Sequence, residues 1–313
     1  MKKYIYKITI WGIILLLINI AIELLLFLRP NQYSYKREYV EEHINDIRCL
    51  LLGNSHIEIA LKPDILGNGV FNMAIAGRNL IYDMELAKRY VPQMNQLKVI
   101  VIPIDYTQFY FGRQKNDPNE ENKSSSYGKT YKCMYYKYMG IRANHFWYWS
   151  ELLNSKLDYM SRFLKNDADA RECDSLGYSK RDILKRIDNW ENKHLPKIID
   201  TTLDADRDKQ ELLYTRYCTL AELAKNQGAK LIILITPKYK TYNNCKNPVV
   251  TQEIESFLAS IKQKYPNTEY YDYSNDKRFV DEDFYNASHL TDIGANKFSK
   301  IVKEEILDKH HMR

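Results

Sequence analysis

The longest apolar run comes first in the chain. From Ile8 to Leu28 only Asn19 and Glu23 are strongly polar, and about twenty apolar residues is the length at which a helix crosses a bilayer. A buried core helix is the ordinary alternative for such a run; its length and terminal position favour the membrane. Later runs are shorter. Ile47-Arg48-Cys49-Leu50-Leu51-Leu52 does not alternate and stops at Gly53, the pattern of a strand buried on both faces of a parallel sheet, where Cys49 serves as a small hydrophobe. Val70 to Ala74 reads as a weaker second strand, Lys98 to Ile104 as a third, Lys230 to Ile235 as a fourth and Thr268 to Tyr273 as a fifth. Between them run helical patterns. One carries Ile81, Met84, Leu86, Ala87, Tyr90 and Val91 and is closed by Pro92; a second runs from about Lys209 to Asn226 before Gly228; a third runs from Ala295 to Leu307. Strands alternating with helices predict a parallel sheet with helices on both faces.

This pattern divides the chain into an anchor over 1–29, a polar connector over 30–46, an α/β domain over 47–308 and a tail over 309–313 containing His310 and His311. Between the third and fourth strands lies an irregular stretch, 111–208. It opens with the polar loop Asn116 to Ser126 and continues through aromatic runs, Tyr131 to Tyr138 and Phe146-Trp147-Tyr148-Trp149. A bare loop of that length is improbable inside a compact domain, so a helical insertion with its own small core is expected. The aromatic stripe around Trp147 would then be that core, with a sugar-binding platform as its other use.

Charge sharpens the picture at the amino end. The 313 residues carry 46 Lys and Arg against 40 Asp and Glu, a formal charge of +6, and half of it belongs to the first 29 residues. The rest is nearly balanced, without the concentrated basic face that nucleic acid requires. Lys2, Lys3 and Lys7 precede the apolar run, whereas Arg29, Lys36 and Arg37 follow it beside Glu38, Glu41 and Glu42. That bias places the amino terminus in the cytoplasm and the body outside. Leu-Arg-Pro-Asn-Gln after the run offers no small-x-small cleavage site, which favours a retained signal anchor. A hydrophobic content of 45% with 11 Gly excludes disordered and collagen-like classes. Five widely spaced cysteines without a CxxC give no metal-ligand pattern and no complete disulfide framework.

In open parallel sheets, ligands bind beyond the carboxyl ends of the strands. The first strand runs into Gly53-Asn54-Ser55-His56, which puts Ser55 on the turn where a helix begins. The second runs into Gly77, where an N–H can face the same spot, and the last leads to Asn286-Ala287-Ser288-His289 ahead of the closing helix. A serine hydroxyl needs a base to take its proton, and His289 is the candidate. Ordinary roles compete: Ser55 can cap a helix, and Asp292 and Gly294 fit a helix entry. His56 reads as a neighbour shaping the pocket, and His43, His145 and His194 as surface or core residues.

Gly53-Asn54-Ser55 after the first strand, Gly77 after the second and the late His289 together resemble the SGNH/GDSL hydrolase superfamily. They are most similar to its membrane-anchored members, of the type of the teichoic-acid D-alanine transfer protein and exopolysaccharide O-acetyltransferase-like proteins. The resemblance covers approximately 47–110 and 228–308. It implies a flavodoxin-like, three-layer α/β parallel sheet with a helical insertion and an N-terminal transmembrane helix. It also implies Ser55 as nucleophile, His289 as base, and Gly77 with Asn54 at the oxyanion and substrate side. Two departures stand out. The family's Asp-x-x-His has Asn286 at the acid position, leaving open whether Asn286 or an acid such as Asp281 or Asp283 orients His289. The family's Gly-x-Asn block is absent, and Ile104-Asp105-Tyr106 stands after the third strand, with Asp105 next to the pocket and without an assigned role.

The expected function is a membrane-anchored serine O-acyltransferase or esterase, acting outside the cytoplasmic membrane on a cell-surface glycan. No metal or organic cofactor is implied. The resemblance implies one partner besides the glycan, a multi-spanning membrane acyltransferase. The competing expectation is a catalytically inactive domain of the same fold that binds glycan or serves as an assembly subunit.

Overall fold

A computed structural model of the chain describes residues 1–106, 109, 126–143, 145–155, 164–179, 186, 188–196 and 207–310. Its longer helices are α1 (Lys2–Leu28), α2 (Gln32–Glu42), the short α3 (Ser55–Glu58), α4 (Leu80–Tyr90), α5 (Ser126–Met139), α6 (Arg207–Asn226), α7 (Pro248–Lys264) and α8 (Asp292–Glu305). The strands are β1 (Cys49–Leu51), β2 (Val70–Asn72), β3 (Val99–Pro103), β4 (Lys230–Ile235) and β5 (Thr268–Asp272). Contacts divide the chain into two compact units, Met1–Glu38 with Pro118–Glu172, and Tyr39–Asp117 with Cys173–Arg313.

The second unit holds the sheet. Its five strands are all parallel in the order β2-β1-β3-β4-β5, with Cys49 opposite both Val70 and Val99, Val99 opposite Lys230 and Leu231 opposite Thr268. This is the α/β architecture expected from the alternating runs. Because side chains alternate across a strand, Cys49, Leu51, Val99, Val101, Ile232 and Leu234 share one face. There they pack with Phe298 and Val302 of α8 in one cluster, while Leu50, Ile100 and Ile233 are buried on the other. Burial on both faces explains why the central strands read as unbroken apolar runs. At 25 cal/mol per Å² or so, each such side chain contributes about 1.5–3 kcal/mol. Elements begin where polar residues can cap them: Asn79 accepts from Ile81 N–H at the start of α4, and Thr291 from Gly294 N–H at the start of α8.

The first unit contains α1, the only helix among the described residues long and apolar enough to cross a membrane. Most of α1 is exposed, but Glu23 and Leu26 are buried. The stretch read as a connector holds α2, whose polar composition hides its inward residues Tyr33 and Val40. The described parts of the insertion hold α5 and the helical turns Phe146–Trp149, Glu151–Asn154 and Asp167–Ala170, and also a non-helical loop closed by an antiparallel bridge between Cys173 and Ser179. The polar loop expected from Asn116 lies outside the described residues up to 125. The tail starts later than expected: Leu307–His310 is a 3₁₀ turn in which His310 Nε2 lies 3.2 Å from Glu269 Oε2.

Candidate active site

The site is built at the carboxyl ends of β1, β3 and β4. After β1 the chain turns at Gly53, whose φ of +119° suits glycine; a Cβ there would fall 2.3 Å from Pro103 Cδ. Gly53 N–H donates to Asp83 Oδ1 at 2.8 Å, and Asp83 is paired with Arg78 at 2.7 Å. Burial pushes the Asp83 carboxyl up, against Arg78 and the Gly53 N–H, which pull it down. The β2 turn is stitched to the same place, since Ile75 N–H donates to Gly53 O at 3.0 Å. Asn54 caps α3 by accepting from His56 N–H at 3.0 Å. Ser55 is thereby relieved of the capping role, and its Oγ lies 2.8 Å from His289 Nε2.

The histidine is held by its own loop. Asn286 is buried, and its Oδ1 accepts the N–H groups of Ser288 and His289, both at 3.0 Å. Two backbone donors identify that atom as oxygen, so His289 Nδ1, 3.1 Å away, must carry the hydrogen of their bond. The tautomer follows: Nε2 presents a lone pair to Ser55. Ser288 Oγ lies 3.0 Å from Nδ1 and donates to Asn286 Oδ1 at 3.3 Å. Burial lowers the His289 imidazole well below its usual value, and the charges of His56, Lys238 and His194 lower it further, against Asp105. His289 is therefore neutral at neutral pH, the form a base requires.

Neither alternative acid reaches this ring. Asp281 Oδ1 accepts from Tyr239 OH at 3.1 Å; Asp283 is buried against Lys297 at 2.5 Å and accepts from Val280 N–H. Among the described residues, no carboxylate hydrogen-bonds His289, and the position open between Asn286, Asp281 and Asp283 is held by the amide.

A carboxylate does stand close by, on a different histidine. Asp105, just beyond β3 and 2% exposed, pairs with His56 Nδ1, accepts from Asn54 Nδ2 at 2.8 Å and has Lys238 Nζ at 3.9 Å. Burial would raise its carboxyl, but His56, Lys238 and Asn54 together hold it below the ordinary carboxylate range. Lys238 is buried too; it donates to Thr236 Oγ1 at 2.9 Å and Ser288 O at 3.1 Å, and burial brings its ammonium down to about 8 despite Asp105. The His56 and His289 rings are 4.7 Å apart, and His194 packs edge-on against His289 at 5.5 Å.

Of the residues singled out in the sequence, Ser55, His289 and Asn286 are brought into hydrogen-bond contact. Asn54 and Asp105 lie one step behind, joined to each other. The N–H groups of Ser55 and Gly77 donate no hydrogen bond within the chain among the described residues, and Gly77, with φ of +73°, is exposed. Its neighbour Ala76 is held by Glu58 Oε2 at 2.9 Å. Lys238, Asp83, Arg78 and the contact of His194 were not anticipated. Lys238 carried a usable signal, because Thr236-Pro237-Lys238 follows β4 as Asp105 follows β3. Among the described residues, no group of three or more His, Cys, Asp or Glu is placed to hold a metal ion.

No protein-family model and no curated protein sequence matches the chain. Its backbone is similar to solved structures. One is a protein assigned as an SGNH hydrolase from Slackia heliotrinireducens, with 13% identity and a TM-score of 0.42 over 83% of this chain and 98% of that one. Another is a GDSL-like lipase from Bacteroides thetaiotaomicron, with 13% identity and a TM-score of 0.40 over 89% of this chain and 99% of that one. At this identity and TM-score the likeness assigns no chemistry to this chain.

Proposed function

We propose that this chain is a serine esterase or O-acyltransferase in which Ser55 is the nucleophile and His289 the general base. The observation that carries the reading is the 2.8 Å contact between Ser55 Oγ and the lone-pair nitrogen of a neutral, partly exposed His289. Ser55 Oγ attacks the acyl carbonyl as its proton passes to Nε2. The carbonyl oxygen becomes an oxyanion, for which the uncommitted N–H groups of Ser55 and Gly77 are the donors at hand. The leaving alcohol takes the proton back from the imidazolium, leaving an acyl-serine. Water then releases the acid, or an acceptor hydroxyl takes the acyl group, with His289 again removing the proton.

Asn286 fixes the tautomer without balancing the charge of the imidazolium. In serine proteases with a Ser-His-Asp triad, replacing the Asp by Asn costs about 10⁴ in kcat because the tautomer is wrong. Here the two backbone donors on Asn286 Oδ1 enforce the productive one. The same amide is the feature that favours the second reading, a binding or assembly subunit without turnover.

In the fuller reading α1 is a retained membrane anchor, the second unit lies outside the cytoplasm, and the ester belongs to a cell-surface glycan. A membrane-bound acyltransferase is then the acyl donor, and the tether raises the effective concentration of one for the other. The test is hydrolysis of p-nitrophenyl acetate by the full chain in detergent, alongside Ser55→Ala. Turnover that disappears in the variant supports the enzyme; equal background rates, with unimpaired glycan acylation in cells carrying Ser55→Ala, would sink it in favour of the binding subunit. A fusion reporter that places the carboxyl terminus in the cytoplasm would contradict the glycan substrate.

A further inference from the structure

The end of α1 is not a free tether. Glu23 is 7% exposed, and its carboxylate accepts from Lys137 Nζ at 2.8 Å, Ser150 Oγ at 2.6 Å and Leu152 N–H at 3.0 Å. Lys137, on α5, also pairs with the buried Glu151 at 3.0 Å and lies 4.5 Å from the Trp149 ring centre. Two stretches of chain, α5 and the turn from Ser150 to Asn154, are thus tied to one carboxylate. Leu26 is fully buried, its carbonyl accepting from Tyr138 OH at 2.9 Å, and Phe27 stacks on Tyr138 and Trp149 with centroids 5.9 and 6.1 Å away. All of these contacts lie within the first unit.

Glu23 marks a depth. An α-helix rises about 1.5 Å per residue, so Tyr4 to Glu23 covers about 30 Å, the thickness of the hydrocarbon core. Lys2 and Lys3 then flank one edge, Lys7 can snorkel back to it, and Glu23 falls at the opposite edge. The turn of Phe146–Trp149 and the following turn to Asn154 are bound directly to that level, through Ser150, Leu152 and Trp149. Here the surface is unusual for one facing water: Phe146 is 80% exposed, Leu153 73% and Trp147 44%. His145 stacks on Trp147, and Lys132 lies 5.4 Å from the centre of the Tyr148 ring. Apolar and aromatic tips edged by basic groups are what the boundary between acyl chains and headgroups accepts.

We propose that Phe146, Trp147 and Leu153 form a collar that enters the headgroup region of the bilayer, held at that depth by the cluster of Glu23, Lys137 and Glu151. The occupant is the lipid surface because the turns that carry the patch are bonded to the end of α1, whose own Leu24, Leu25 and Leu28 are exposed. The proposal rests on the reading of α1 as a membrane-spanning helix, and it revises where that span ends. The face of Glu23, Leu26 and Phe27 packs into the folded unit, so the hydrocarbon segment ends near Glu23, with Leu24, Leu25 and Leu28 exposed at the level of the collar.

The test uses the full chain with Cys245, the one partly exposed cysteine, replaced by Ser. It is reconstituted in vesicles of phosphatidylcholine and phosphatidylglycerol. Nitroxide labels go singly on Phe146→Cys, Leu153→Cys, Leu16→Cys in mid-helix and Lys277→Cys on the second unit. Collisions with oxygen and with a polar nickel complex are compared. The collar predicts that labels at 146 and 153 meet nickel several-fold less often than at 277, and oxygen less often than at 16. In Glu23→Ala the label at 153 should regain nickel contact while that at 16 does not change. Water-like values at 146 and 153, with 16 protected, overturn the collar and leave the span standing. Water-like values at 16 overturn the span and the collar with it. A label at 153 that ignores Glu23→Ala removes the cluster from the proposal.

Discussion

Two histidines stand 4.7 Å apart with opposite partners. His56 has the buried carboxylate, Asp105, and among the described residues no side-chain hydrogen bond to Ser55; His289 has Ser55 and an amide, Asn286. Division of this kind separates two tasks that a single aspartate usually performs. Orientation of the His289 ring is done by Asn286, whose oxygen is pinned by two backbone donors. The negative charge of the site sits across the pocket on Asp105, where it also faces the Lys238 ammonium. His289 therefore stays neutral into the acid range, and in the proposed reaction its imidazolium would form without a direct counter-charge.

The largest expected effect separates the two rings. His289→Ala should lower kcat/KM for an activated ester by about 10³-fold or more, as loss of a general base does, whereas His56→Gln should cost far less. Equal losses in the two variants would break the comparison. Next is stability: Asp105→Asn leaves Lys238 buried without its anion, and breaking such a pair costs about 3 kcal/mol, read by chemical denaturation at pH 7. Because the Asp105 carboxyl is held below its ordinary range, its support is present above the unfolded value of about 4 and fades as pH falls through the folded one. The difference between wild type and Asp105→Asn should accordingly shrink in acid.

Asn286→Asp puts a carboxylate where the amide was. It should raise the His289 pKa, so the acid limb of kcat/KM moves to higher pH, while the rate on the plateau rises. An unmoved limb would mean that His289 is not the titrating base. The smallest change is expected for Lys238→Met. Removing one nearby cation relieves one of the charges that lower His289, so the acid limb should rise by less than in Asn286→Asp; a fall would contradict the assignment.

Much of the scaffold was legible because parallel strands buried on both faces leave apolar runs, and β1, β3 and β4 fall inside the runs that begin at Ile47, Lys98 and Lys230. The helix starts were legible at Asn79 and Thr291 only within a few residues, since a cap is one polar side chain among many. Ser55, Gly77 and His289 stood out because each follows an apolar run or opens a helix. The partner of His289 was not decidable, since Asn286, Asp281 and Asp283 share one loop, and only its fold sends both acids elsewhere, to Lys297 and Tyr239. The pairing inside the Asp105 cluster was not readable for another reason: His56 and Asp105 each stand beside the pocket in the sequence, but they and Lys238 come from three strand ends far apart in the chain, and only the fold joins them. Helix α2 was missed because its inward residues are separated by charged ones.

In the proposed reaction Ser55 is made nucleophilic by His289. This activation is tested most directly by incubating the full chain with a fluorophosphonate at neutral pH and mapping the adduct by peptide mass. One phosphonylated peptide, carrying Ser55, is expected in the wild type and in His56→Gln, and none in His289→Ala. An unlabelled but folded wild-type protein, or labelling of Ser55 that survives His289→Ala, would contradict it.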